Sequence, residues 1–285
     1  MSAAVLPSAL KLGTVQLRVA NLDRSLNYYQ DMIGLRLLKR EAGSAELGTA
    51  DGSALLRLRE MSRSPRMPRR PAAGLYHYAL LLPDRESLGL VLRHLARNGI
   101  DVGQGDHLVS EALYIQDPDG NGIELYRDRP RSEWTYDPEG RVVMTADPVD
   151  VEGLVEASSG LVWNGLPDGT VMGHVHFHVG HLEQARQFYC EVLGFDLTAR
   201  YGRSALFVAA GGYHHHIGLN VWAGEGATPA NEDEAGIDFF TLLLPTKKDR
   251  DELISRVRKA GWPVEEGQDM LRDPWNIGIR LIAAG

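Results

Sequence analysis

The chain carries a long internal repeat, and this feature restricts the folds open to it more than any other. Residues 12–40 align with residues 172–200 without a gap, at an offset of 160 positions, and eight of the aligned residues are identical. A second pair of segments, GLYHYALLLP from Gly74 and GIDFFTLLLP from Gly236, aligns at an offset of 162. Self-similarity over this length is typical of a fold that is built from copies of one structural unit.

Each copy divides again into two similar repeats. An alternating strand, such as Val15, Leu17 and Val19, precedes a helix with apolar residues at helical spacing, and short strand-like stretches follow. The pattern predicts an α+β fold of four βαβββ repeats, with helices on one face of cupped, mixed or antiparallel sheets. We expect the repeats to form two modules, over residues 11–128 and 171–285, joined by a linker over residues 129–170.

Composition argues against several classes of partner. The net charge of −8 would repel nucleic-acid phosphates, and no apolar run is long enough to span a membrane. Cys190 is the single cysteine, which excludes an internal disulfide framework and fits a reducing cytoplasm. Six arginines lie within residues 57–70, where we expect a solvated loop or a subunit contact. We therefore expect a cytoplasmic enzyme or binding protein without nucleic-acid or membrane partners. Exposed strand edges also favour a homo-oligomer.

Two motifs resemble those of the vicinal oxygen chelate superfamily: FYCEVLGF from Phe188 and DPDGNGIEL from Asp117. This superfamily includes glyoxalase I, the bleomycin- and fosfomycin-resistance proteins and the extradiol ring-cleaving dioxygenases. The longer segments SEALYIQDPDGNGIELYRDRPR and GGYHHHIGLN are similar to those of the bacillus-type catechol 2,3-dioxygenases. The resemblance covers nearly the whole chain outside the linker. Because the superfamily hosts many chemistries, the activity needs an argument of its own.

The resemblance implies a metal centre, since ligands in this superfamily come from the first and last strands of paired repeats. On the first strands of the four repeats, the equivalent residues are Thr14, His77, His174 and Phe239. On the last strands of the second and fourth repeats, they are Glu124 and Arg280. The implied ligands are His77, His174 and Glu124, from the second and third repeats. Two histidines and one carboxylate leave three coordination positions open, enough for a chelating catecholate and dioxygen. The expected ion is Fe²⁺, and Mn²⁺ also suits this ligand set.

The position of these ligands departs from that of the larger extradiol enzymes. Those enzymes hold the complete set in the third and fourth repeats, whereas this chain holds it in the second and third. A complete site here requires the second repeat to pair with the third, for which the linker is long enough. In the alternative arrangement, repeats pair in chain order and each cup holds half a site.

The third repeat also matches the family's acid–base element, which is a histidine within an HH motif. The corresponding segment here is His214-His215-His216. Strand alternation counted back from Ile217 and Leu219 predicts that His216 faces the cup, with His214 as the next candidate and His215 as the last.

The second repeat carries His107 and Tyr114 ahead of Glu124, in the order that the family shows. The resemblance implies that both side chains hydrogen-bond the ring oxygens of the substrate. Taken alone, each also fits an ordinary structural position, in a loop for His107 and on a half-buried strand for Tyr114.

The expected activity is Fe²⁺-dependent extradiol cleavage of catechol or a substituted catechol with O₂, in aromatic compound catabolism. Two alternatives remain at this point. The first is a glyoxalase- or lyase-like enzyme that uses Ni²⁺, Zn²⁺ or Mn²⁺ without O₂, with His216 as a fourth ligand. The second is a non-catalytic protein that binds a flat aromatic molecule, as the resistance proteins do. Dependence on oxygen and on metal separates the three.

Overall fold

The computed structural model describes residues 5–62, 72–231, 233–267 and 269–284, and the arginine-rich segment lies outside this description from residue 63 onward. In the described chain the order strand, helix, three strands occurs four times, and the strands form curled mixed sheets. The α+β fold class predicted from the sequence is confirmed. Among the described residues, no helix is long and apolar enough to cross a membrane.

The first two repeats precede the linker in the chain. The first repeat consists of β1 (Lys11–Val19), α1 (Leu22–Asp31), β2 (Arg36–Glu41), β3 (Ser44–Gly48) and β4 (Ala54–Glu60). The second consists of β5 (Ala72–Leu81), α2 (Arg85–Arg97), β6 (Gly103–Asp106), β7 (Ser110–Gln116) and β8 (Gly122–Asp128). The linker contains a short 3₁₀ turn (Arg131–Glu133) and the helix α3 (Val151–Ala157).

The last two repeats have the same order of elements. The third consists of β9 (Val171–His178), α4 (Leu182–Arg186), β10 (Asp196–Tyr201), β11 (Ala205–Ala209) and β12 (Ile217–Asn220), with a π-helical turn (Gln187–Val192) after α4. A two-residue strand, β13 (Thr228–Pro229), precedes the fourth repeat. That repeat consists of β14 (Gly236–Leu244), α5 (Lys247–Lys259), β15 (Val264–Glu265), β16 (Met270–Arg272) and β17 (Gly278–Ala283).

Local chemistry explains where a helix such as α2 begins and ends. The Asp84 side chain accepts a hydrogen bond from the main-chain N–H of Ser87, which satisfies one of the donors that a helix N-terminus leaves open. Gly99, with φ of 69°, supplies the left-handed residue that ends the helix. Leu88 and Val91 lie three residues apart and are buried, so the helix packs its apolar face on the sheet.

The strands form two large sheets. An eight-stranded sheet has the order β15-β16-β17-β14-β1-β4-β3-β2, and a nine-stranded sheet has the order β10-β11-β12-β9-β5-β8-β7-β6. The fourth repeat thus shares a sheet with the first, and the third shares one with the second. The first and last strands run parallel in the second, third and fourth repeats. This strand order is the one that pairing of the second repeat with the third requires.

The described residues divide into two compact units. One contains most of the first and second repeats together with the linker, and the other contains nearly all of the third and fourth repeats together with most of β1 and the first residues of β5. In the former, α3 crosses α2 so closely that a side chain at Gly89 would meet the Leu154 carbonyl. The ring of Trp163 stacks on His94, with 4.0 Å between the ring centres. The linker is therefore packed against the second repeat, while the module boundaries predicted from the sequence stay a prediction.

A buried tyrosine–aspartate pair recurs in each compact unit. The Tyr29 hydroxyl donates to Asp117 at 2.8 Å, and the Tyr189 hydroxyl donates to Asp273 at 3.0 Å. The two tyrosines are equivalent in the repeat, and the two aspartates begin equivalent turns. Each pair ties the helix of one repeat to the last turn of the next.

Burial raises the pKa of Asp273 from its usual 3.8 to about 7, although Tyr189 and two main-chain N–H groups donate hydrogen bonds that lower it. Between about pH 4 and 7 the folded chain holds a proton at this carboxyl that the unfolded chain has lost. The resulting stabilisation is complete below pH 4 and disappears as the pH rises through 7. Ionisation of Asp273 therefore destabilises the fold at neutral pH.

We expect Asp273→Asn to abolish this pH dependence, since an amide does not titrate. Its oxygen accepts from the main-chain N–H groups of Trp275 and Ile277, and its NH₂ group donates to the Tyr189 hydroxyl, which reverses that one hydrogen bond. From pH 5 to pH 8, the variant should gain at least about 1.4 kcal/mol in free energy of unfolding relative to the wild type, the value of one pKa unit. Urea unfolding at several pH values measures this, with Glu152→Gln at an exposed position as control. Parallel pH profiles for Asp273→Asn and the wild type would contradict the expectation.

Candidate metal centre

Strand register places His77 and Glu124 side by side. In the parallel pair β5–β8, His77 is in register with Gly122 and Ala79 with Glu124. Since side chains two residues apart share a face of a strand, His77 and Glu124 lie on the same face of the sheet. The distance from His77 Nε2 to Glu124 Oε2 is 3.0 Å. Both side chains are buried, with 5% and 2% of their surface exposed.

The opening strand of the third repeat presents a second histidine. On β9, Val175 and Phe177 are fully buried on one face, and alternation places His174 on the other. Each of His77, Glu124 and His174 offers one ligand atom, and these atoms lie within 4.8 Å of one another. The structure thus brings together the three residues that the sequence proposed as metal ligands.

The chemistry of this donor set fits a divalent first-row metal ion. Two imidazole nitrogens and one carboxylate oxygen form the ligand set of non-haem Fe²⁺ centres, and they also bind Mn²⁺. All three residues are buried. A buried carboxylate is unfavourable unless a cation or hydrogen-bond donors compensate its charge, and a bound metal ion would do so.

The equivalent positions of the fourth repeat hold no such donors. The Arg280 guanidinium lies over the Phe239 ring, 4.1 Å from its centre, where the second repeat has Glu124 and His77. This pair makes a cation–π contact. The fourth repeat therefore keeps the fold without these ligands.

Tyr114 and His107 form a hydrogen-bonded pair next to the cluster. Tyr114 is directly opposite Glu124 in the antiparallel pair β7–β8 and so lies on the same face. Its ring centre is 5.6 Å from that of His77. The Tyr114 hydroxyl is 2.6 Å from His107 Nε2, and His107 Nδ1 is 2.6 Å from the carbonyl oxygen of Thr145. The sequence analysis did not identify Thr145, because no local pattern links residues so far apart in the chain.

The triple-histidine segment does not follow strand alternation. It precedes β12, which begins at Ile217, and it follows a turn in which Gly211 and Gly212 have φ of 64° and 67°. Counting back from Ile217 passes through residues 214–216, which lie outside any strand. Strand alternation therefore does not determine which of the three rings faces the cluster.

The ring of His215 lies closer to His174 than that of His214, with 4.1 Å between the ring centres compared with 6.2 Å. The two Nδ1 atoms of His214 and His215 are 2.7 Å apart, within hydrogen-bonding distance. His216 instead packs against Tyr213, and its Nδ1 accepts a hydrogen bond from a main-chain N–H. The predicted role of His216 stays a prediction.

Aromatic side chains continue from the histidines along β9. Phe207 lies 5.0 Å from His215 and 5.6 Å from His176, between ring centres. Tyr76 and Trp222, both about half exposed, contact His176 in turn at 5.2 and 5.4 Å. The sequence analysis did not name Phe207, although the alternation of β11 was a signal that could have shown its orientation.

The fold and the cluster together define a class: a duplicated βαβββ protein with a buried two-histidine, one-carboxylate site suited to a metal ion. Residues 11–125 and 171–276 match the Glyoxalase/Bleomycin resistance protein/Dioxygenase superfamily, and the chain belongs to this superfamily. It is 49% identical over 263 residues to the catechol-2,3-dioxygenase of Bacillus subtilis (strain 168), a match that covers 92% of each chain. The resemblance seen in the sequence motifs is confirmed.

Solved structures show the same architecture at much lower identity. A Bacillus subtilis protein matches with a TM-score of 0.68 and 10% identity, covering 98% of this chain and 86% of its own. Glyoxalase I from Zea mays matches with a TM-score of 0.55 and 15% identity, covering 96% and 92%. At these identities the likeness concerns the fold alone.

We expect Glu124→Gln and His174→Ala to weaken metal binding, since each removes a donor from the cluster. The loss of Fe²⁺ affinity should exceed the roughly 10- to 100-fold that is typical of outer-shell partners. Anaerobic titration of the folded variants measures it, and circular dichroism verifies folding. His94→Ala, which alters a histidine stacked on Trp163, is the control and should bind as the wild type does. Unchanged affinity in Glu124→Gln would exclude this carboxylate as a ligand.

Proposed function

We propose that this protein is an Fe²⁺-dependent extradiol dioxygenase that cleaves catechol or a substituted catechol with O₂. The buried cluster of His77, Glu124 and His174 is the observation that carries the proposal. The 49% identity to a catechol-2,3-dioxygenase supports the same reaction class. The adjacent pair of His107 and Tyr114 supports it further, because it offers polar groups to the ring oxygens of a diol.

The three ligands have distinct tasks in this proposal. His77 and His174 bind through neutral imidazole nitrogens, while Glu124 contributes one negative charge. The ion, when bound, supplies a Lewis acid for the catecholate oxygens and an electron path to dioxygen. A single carboxylate leaves the centre cationic, so a negatively charged catecholate is attracted to it.

Tyr114 and His107 orient the diol. The Tyr114 oxygen lies beside the cluster and contacts a ring hydroxyl of the substrate, and His107 holds the phenol ring in place through the 2.6 Å hydrogen bond. Fixing one ring oxygen in this way restricts rotation of the bound catechol, which brings its reacting carbon to one position.

We assign the acid–base role to His215 because its ring lies against His174. In the hydrogen bond between the two Nδ1 atoms of His214 and His215, one ring donates and the other accepts. The pair therefore holds a proton between these atoms and fixes the orientation of the His215 ring. His216 is the alternative that the sequence favours.

The aromatic residues beyond the histidines form the wall of the substrate site. Phe207 contacts both His215 and His176, and Tyr76 and Trp222 extend the aromatic surface outward. Such a surface excludes water and contacts the ring face of a flat substrate. A role in aromatic compound catabolism, a cytoplasmic location and a homo-oligomeric state stay predictions from the sequence.

Oxygen consumption by protein reconstituted anaerobically with Fe²⁺ tests the proposal. We expect one O₂ consumed per catechol, with a new visible absorbance from the ring-opened product, and neither with metal-free protein. Turnover of a superfamily substrate without O₂ would identify a glyoxalase- or lyase-like enzyme. Catechol binding without turnover under Fe²⁺ or Mn²⁺ would identify a binding protein.

A pair of variants distinguishes the two candidate acid–base histidines. His215→Ala should retain its metal and lose at least about 100-fold in turnover, the lower end of what a proton-transfer group contributes. His216→Ala should retain turnover within a few-fold, because its ring packs against Tyr213. The reverse result would return the role to His216. Metal loss in His215→Ala would instead make His215 a ligand.

A further inference from the structure

We infer that the linker contributes to the site through the main-chain carbonyl of Thr145, which selects the tautomer of His107. The tautomer in turn determines the direction of the hydrogen bond between His107 and Tyr114. The catalytic consequence rests on the proposed function, but the tautomer does not. Thr145 is a positioning residue in this scheme, acting on Tyr114 through His107.

Hydrogen-bond chemistry determines the direction of the chain. The Thr145 oxygen, 2.6 Å from His107 Nδ1, is a carbonyl and only accepts, so Nδ1 carries the proton. When the imidazole is neutral it has a single N–H, which leaves His107 Nε2 as an acceptor. Nε2 is 2.6 Å from the Tyr114 hydroxyl, so the hydroxyl must donate. Without the carbonyl, either direction would satisfy the same two atoms.

The end of β6, directly before His107, holds the Thr145 carbonyl in place. Asp106 and Asp147 exchange two main-chain hydrogen bonds, of 2.7 and 3.0 Å, and so join the linker to the end of β6. The Thr145 hydroxyl donates to the Asp147 carboxylate at 2.8 Å. The His107 ring lies against Gly105, where a Cβ would approach it to 3.1 Å. Donor ring and acceptor carbonyl are therefore positioned together before any substrate arrives.

The direction of this chain has a consequence for the substrate. A hydroxyl that donates to His107 presents its lone pairs to other partners, so Tyr114 accepts a hydrogen bond from the ring oxygen that it contacts. Its partner is then a ring hydroxyl that still carries its proton. The site should favour a diol that keeps one O–H over an analogue in which that O–H is methylated.

The tautomer is measurable in metal-free protein. Two-bond ¹H–¹⁵N spectra distinguish a protonated imidazole nitrogen from an unprotonated one, and the His107 signals are those absent from His107→Gln. At pH 8 we expect a protonated Nδ1 and an unprotonated Nε2. A protonated Nε2 with an unprotonated Nδ1 would overturn the inference.

Thr145→Val tests the link between the linker and the ring, since it removes the hydroxyl bond that holds the carbonyl. Solvent exchange of the His107 Nδ1 proton should be about 10-fold faster, and kcat/KM about 10-fold lower, with metal content unchanged. Thr170→Val is the matched control, because its hydroxyl also bonds within the linker, to Pro167. Equal behaviour of the two variants would refute the part of the inference in which the Thr145 side chain helps to position the carbonyl, whereas the carbonyl itself is tested by the tautomer of the wild type.

These measurements can refute the tautomer inference without refuting the proposed function, and the reverse also holds. A protonated Nδ1 with no ring cleavage would support tautomer selection and refute the dioxygenase. Ring cleavage with a protonated Nε2 would do the opposite.

Discussion

The burial of a carboxylate governs the arrangement of this site. Glu124 is 2% exposed, and an isolated ionised carboxylate in such a place is strongly unfavourable. The parallel register of β5 and β8 brings His77 Nε2 to within 3.0 Å of it. His174 supplies a third donor within the same few ångströms. A cation is the natural complement of such a cluster, so the cost of burying Glu124 and the capacity to bind a metal have one physical origin.

The fourth repeat separates the requirements of the fold from those of the chemistry. Arg280 is opposite Met270 and in register with Thr241, just as Glu124 is opposite Tyr114 and in register with Ala79 in the second repeat. The backbone is thus the same at both places. Only side-chain identity differs, with an arginine over a phenylalanine in one repeat and a carboxylate beside a histidine in the other. The βαβββ frame forms with either set, so among the described residues the candidate metal donors lie in the second and third repeats.

The same regularity explains what the sequence could predict. Strands have a period of two and repeats conserve position, so the βαβββ order followed from the pattern, and comparison of the copies located His77, His174 and Glu124 at the ligand positions that the family resemblance implies. Period two does not extend to the triple-histidine segment, because residues 214–216 precede β12 and lie outside the strands, so the orientation predicted for His216 stays a prediction. Comparison of the copies had no access to Thr145, which reaches His107 across 38 residues of chain. Tertiary contacts of that kind leave no local signature.

The contact of Thr145 with His107 shows that the repeats alone do not form the whole site. Its carbonyl belongs to the linker, which has no counterpart among the four repeats, and yet it determines how the His107 ring donates and accepts. A duplicated pair of sheets supplies strands, register and ligand positions. The direction of the hydrogen bond between His107 and Tyr114 depends in addition on a third group that can only accept a hydrogen bond. A main-chain carbonyl is such a group, because it never donates. The linker therefore adds to the repeats a constraint that no copy of them contains.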